Sequence, residues 1–165
     1  MHPKDLAAHK CSRKLLANAP RFRKLVRNSL PKPFNRLGRQ GSQTTDLLAV
    51  SDDHRVLFMW HDGPERTDRS FYGYLLSVAS NGDMFPLFEF HYHPTHKGLH
   101  CKMPCETSAN YRNRLLPGAP ELNLKPARDF DPASEQDRVT LIKVFCKAVG
   151  IETMFEDDRQ AKLWN

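Results

Sequence analysis

From Met84 to His93 the chain reads MFPLFEFHYH, and its second half alternates: Phe88, Phe90 and Tyr92 fall on one side of an extended backbone, Glu89, His91 and His93 on the other. A helix would scatter these six residues around its circumference. The stretch is therefore predicted as a strand with an aromatic core face and an acid/imidazole face. Asn81-Gly82, just upstream, is a strong hairpin signal, and Ser70 to Ala79, rich in Phe71, Tyr72, Tyr74, Leu75, Leu76 and Val78, is the strand it would join. Pro86 lacks an N–H, so one side of its strand should be unpaired or bulged there.

Downstream, Pro94-Thr95-His96-Lys97-Gly98 has turn composition, and a short strand Leu99 to Met103 follows. Its alternation puts Leu99, Cys101 and Met103 on one face and His100 and Lys102 on the other. Two registers are open. If Pro94 opposes Leu99, His93 meets His100 and His91 meets Lys102, which gives an acid/base face of Glu89, His91, His93, His100 and Lys102. If His93 opposes Leu99, His91 meets Cys101, and Cys105 could close a His/Cys metal set. The first is favoured because it keeps Leu99, Cys101 and Met103 with the aromatic core.

Thr45 to Val50 and Arg55 to Trp60 read as another hairpin around Ser51-Asp52-Asp53-His54, with Val56, Phe58 and Trp60 on one face. His61 to Arg69 reads as a polar loop, and Glu106 to Phe130, interrupted by Pro117, Pro120 and Pro126, as an ordered loop. Asp131-Pro132 suggests a helix start, and Val139, Leu141, Ile142, Phe145, Cys146 and Val149 form a stripe stopped by Gly150. The predicted fold class is α+β: an antiparallel sheet of about five strands, a meander of hairpins, with a C-terminal helix packed on one face.

The N-terminal region differs in charge. Residues 1–41 hold eleven Lys/Arg against the single acid Asp5, a balance of +10, so the rest carries −4 within a total of +6. Helices are predicted over Lys4 to Ala17 and from an Asn18 cap through Leu30, the second with Phe22, Leu25, Val26 and Leu30 as its apolar stripe. Residues 1–41 are thus expected as a basic helical arm and linker, and 42–165 as a single α+β domain. Such an arm is the footprint of a polyanion partner. Arg21, Arg23, Lys24 and Arg27, with Arg112 and Arg114 from the later loop, are the expected nucleic-acid contacts. No apolar run approaches the ~20 residues needed to span a bilayer, and the N-terminus lacks the apolar core of a secretion signal. The expectation is a cytoplasmic protein without a membrane partner.

Half of the eight histidines and two of the four cysteines lie between Met84 and Cys105. Histidine titrates near neutrality and can act as base or acid. The leading reading is metal-independent RNA cleavage by Glu89, His91, His93, His100 and Lys102, with no metal or other cofactor. The alternative is a zinc-stabilised, non-enzymatic binding module using His91 or His93, His96 or His100, Cys101 and Cys105, since imidazole and thiolate both suit zinc.

Over about residues 70–150, the aromatic strand Tyr72-Gly73-Tyr74-Leu75-Leu76, a short turn, a strand ending in a His-rich segment, a short strand and a terminal helix follow in that order. This order resembles the TumE-like toxins of bacterial toxin-antitoxin modules. The resemblance implies an intracellular, growth-inhibiting ribonuclease neutralised by an antitoxin protein, and it sets His93, His96 and His100 in the His-rich segment. Where that pattern has Arg-(Tyr/Phe)-Asp-Asn, this chain has Glu89-Phe90-His91-Tyr92.

Overall fold

The computed structural model describes residues 8–26, 28–32, 34, 35, 37, 41–94, 98–105, 108–113 and 129–155, with backbone alone at 98, 100, 102–105 and 108–113. The strands are β1 (Leu15–Leu16), β2 (Arg23–Lys24), β3 (Ser42–Thr44), β4 (Leu48–Ala49), β5 (His54–His61), β6 (Ser70–Val78), β7 (Met84–His93), β8 (Gly98–Cys105), β9 (Ser108–Asn113) and β10 (Glu152–Thr153); the long helix is α1 (Glu135–Ala148). The fold is α+β. Eight strands form one antiparallel sheet in the order β2-β3-β5-β6-β7-β8-β9, with β4 also paired to β5 beside β3. The predicted meander is its body, β4 through β8, and β2, β3 and β9 extend it. A separate parallel pair joins β1 to β10.

The turn between β6 and β7 forms where Asn81-Gly82 demands it. Gly82 sits at φ +86°, and the Asn81 side chain accepts a hydrogen bond from the Asp83 N–H. In β7, Leu75 pairs with Phe88 but Leu76 pairs with Pro86, so Leu87 is an extra residue. This bulge is the accommodation Pro86 requires.

Alternation then sorts the sheet into two faces. One face carries Val56, Phe58 and Trp60 of β5, Phe71 and Leu75 of β6, Phe88, Phe90 and Tyr92 of β7 and Cys101 of β8, all buried against Leu141, Ile142, Phe145 and Cys146 of α1 and its C-cap Val149. Gly73 lets the helix approach: a Cβ there would stand 2.9 Å from the Phe145 ring. The opposite face carries Leu57, Tyr74 and Leu76, covered by Leu30 and Phe34 from the N-terminal region.

The β7–β8 register is neither of the two expected. His93 opposes Gly98, Tyr92 Leu99, His91 His100, Phe90 Cys101 and Glu89 Lys102. It lies two residues from the favoured register. A two-residue slip exchanges partners but preserves faces, so the demand that drove the choice, keeping Leu99 and Cys101 with the core, is still met. The register that would oppose His91 to Cys101 is one residue away and would turn Cys101 out of the core.

Several expected elements are different. Of the first predicted helix, only residues 8–11 are helical among the described residues. Lys14 ends it: this buried side chain turns its ammonium back on the carbonyls of His9, Lys10 and Ser12, satisfying groups a longer helix would have used. The second predicted helix is extended. Arg23 pairs with Thr44 and Lys24 with Gln43, and the apolar residues divide by period two, Phe22 to the helix-side core and Leu25 to the opposite face. Val26, counted in the helical stripe, is 61% exposed.

Within the expected loop at Glu106 to Phe130, Ser108–Asn113 is a strand held by β8. His61, expected in a loop, closes β5. The helix cap lies three residues beyond Asp131: Ser134 is the N-cap, its hydroxyl accepting from the Asp137 N–H, while Asp131 accepts from the Ala133 N–H within the preceding turn.

Candidate active site

The acid/imidazole face of β7 is the face opposite the long helix. Register with β6 sets Tyr74 against Glu89 and Tyr72 against His91. The His91 and Glu89 side chains are joined, Nε2 to Oε2, at 3.2 Å, with 9% and 13% of their side-chain surface exposed. A pair this sheltered from water interacts more strongly than a surface one. The Tyr72 ring lies edge-on to both imidazoles, 5.0 Å from His91 and 5.4 Å from His93 between ring centres, and the two histidines are 6.2 Å apart. Tyr74 borders His91 at 6.2 Å and packs on Phe34 at 4.8 Å, so the apolar cover of this face ends where the polar group begins.

Glu89, His91 and His93 are thus brought together. His100 and Lys102 are register partners of His91 and Glu89, described as backbone only. Cys101 is on the other side of the sheet, 1% exposed, and burial pushes its thiol up to about 12. It is thus held as a neutral thiol, turned away from His91, and a zinc set linking His91 to Cys101 is not assembled. Among the described residues, no group of three or more His, Cys, Asp or Glu could hold a metal ion. His96 lies outside the described residues, and Cys105 is described as backbone only.

The expected nucleic-acid contacts divide as well. Arg21 and Lys24 are exposed. Arg23 is engaged by Asp46, with Nε and Nη2 donating to one carboxylate oxygen at 3.0 and 2.7 Å. Arg112 is a backbone position on β9 opposite Met103, while Arg27 and Arg114 lie outside the described residues.

Two groups escaped the sequence reading. Tyr72 stood out only as one of several aromatics in its strand, and its place beside the imidazoles depends on cross-strand register. The second group is remote from β7. His9 Nδ1 and His54 Nε2 meet at 2.9 Å, and the other nitrogen of the buried His54 contacts Ser51 Oγ at 2.9 Å and Asp53 Oδ1 at 2.8 Å. Burial lowers the His54 pKa, with the neighbouring Lys14 and His9 acting in the same direction against Asp53.

No protein-family model matches the chain, and no curated protein or solved structure matches it. Among the described residues no helix is long and apolar enough to cross a membrane.

Proposed function

We propose that the Glu89-His91-His93 face is the active site of a metal-independent ribonuclease. The supporting observation is the grouping itself: two imidazoles 6.2 Å apart about one tyrosine ring, one of them held by a carboxylate. RNA cleavage needs a base to take the 2′-OH proton, so that the 2′-oxygen attacks phosphorus, and an acid to protonate the departing 5′-oxygen. One phosphodiester can span two such groups, each within about 2.6–3.2 Å of its own oxygen. His91, its ring oriented by the contact with Glu89, is assigned as the base, and His93 as the acid. Lys102, register partner of Glu89, is assigned as the cation for the phosphorane, with His100 beside His91.

Through its resemblance to TumE-like toxins, the reading extends to a growth-inhibiting role with RNA as substrate and an antitoxin protein as partner. The direct test is cleavage of a defined RNA oligonucleotide in EDTA. The wild type should cleave, and His91→Gln and His93→Gln should each lose ~10²–10⁴ of the rate. A wild type without activity, or variants with unchanged rates, would reject the site.

A further inference from the structure

On the helix side of the sheet, away from Glu89 and His91, a cleft of about 1160 Å³ opens between the extended segment 15–22, the β3 and β4 edge and the first turns of α1. Pockets for small organic ligands run to ~300–1000 Å³, so the space suffices for one. Its walls are mixed: Leu15, Leu48 and Ile142 are apolar, while Asn18 and Gln43 contribute amides.

Arg138 also lines it, and its circumstances are unusual. The guanidinium lies 4.4 Å from the centre of the Trp60 ring and 5.5 Å from that of Phe22. Nη1 donates to the Pro132 carbonyl at 2.6 Å, whereas Nε is buried with no hydrogen-bond partner. Among the described residues no carboxylate forms an ion pair with Arg138. Asp62, Asp131 and Glu135 act on it only through the wider field, while burial disfavours its charge. A half-buried guanidinium, stacked on aromatic rings and left without a counter-ion, is costly in isolation and preorganised for an oxyanion.

We propose that this cleft binds a nucleoside monophosphate, the phosphate on Arg138 and the base along the apolar wall within reach of Asn18 and Gln43. An inorganic oxyanion would satisfy the cation but leave that wall empty. A carboxylate of similar shape would lack sugar hydroxyls, which Glu135 and Asp46 at the cleft lining can accept from. The site is independent of the histidine face and stands whether or not that face cleaves RNA.

Calorimetric titration of the full chain with 5′-AMP, adenosine and inorganic phosphate tests it. Saturable 5′-AMP binding is expected, at least ten times tighter than adenosine or phosphate alone, and Arg138→Gln should weaken it tenfold or more. Val139→Trp, which fills the cleft from a half-buried position on the same face of α1 as Arg138 and Ile142, should abolish binding with an unchanged melting temperature, and it decides the matter if Arg138→Gln fails to fold. Absent binding, equal affinity for phosphate and 5′-AMP, or full affinity in the Val139→Trp variant would each overturn the proposal.

Discussion

The contact between His9 and His54 holds one proton comfortably and two badly, because with both rings protonated two N–H groups face each other across 2.9 Å. Asp53 steadies a charged His54, but Asp53 is largely in water, whereas burial, Lys14 and His9 all oppose the charge. Cys11 and Arg55 are the other titratable or charged side chains at hand, and Arg55 is turned onto the carbonyls of Ser51, Asp52 and His54. The folded pKa of His54 therefore lies below its unfolded value near 6.5, and the unfolded chain takes up the proton first as pH falls. The stabilisation is fully present above about pH 6.5 and is lost as pH falls through the lower folded value. Melting temperatures measured from pH 8 to pH 5 should drop through that interval, and His54→Gln should flatten the drop. A wild-type curve level to pH 5 would show that the pair carries no such linkage. Its partners are 45 residues apart in sequence, which is why no local pattern announced it.

Among the elements, those announced by a strong local signal are where they were expected. Asn81-Gly82, the alternation from Phe88 to His93 and the stripe of α1 each state a period and a boundary within a few residues. What local signals could not convey is pairing. Period two settles which face Glu89, His91 and His93 share, and that much of the site was legible, but it leaves a two-residue slip against β8 undecided. Likewise Arg23 and Lys24 sit in a stretch whose apolar spacing fits a helix as well as two sheet faces, and only β3 resolves it. The end of α1 shows an element closed by tertiary contact. Gly150 adopts φ +69°, the Ile151 N–H returns to the Cys146 carbonyl, and a Cβ on Gly150 would stand 2.1 Å from the Lys10 carbonyl oxygen. Gly150→Ala should cost more than the ~1 kcal/mol of the strained backbone alone, because the N-terminal segment must also move. Urea unfolding should register that loss, and a change under ~0.5 kcal/mol, the scale of an ordinary surface substitution, would mean the contact is slack.

At the scale of the whole molecule, the basic N-terminal residues are threaded through the body. Leu15 donates to the Val50 carbonyl, Glu152 to that of Lys14 and Met154 to that of Leu16, so the segment lies between the β4–β5 hairpin and β10. Farther on, Leu30 and Phe34 cover Leu57, Tyr74 and Leu76 on the other side of the sheet. The first forty-one residues thus supply a buried side chain to each face: Leu16 at 4% exposure on the helix side, Leu30 and Phe34 at 5% and 4% opposite. Burying a residue of this kind is worth ~1.5–3 kcal/mol, and three together rival the ~5–15 kcal/mol that holds a domain folded. A chain beginning at Ser42 should therefore lose cooperative thermal unfolding or fail to stay in solution. If these residues were a detachable arm, its melting curve would match that of the full chain. If RNA is the substrate, as proposed, the same threading presents these basic groups as a fixed surface rather than a searching tail. Under that proposal Arg23, already held by Asp46, must give up that partner before it can meet a phosphate, whereas the exposed Arg21 and Lys24 beside it form no ion pair among the described residues.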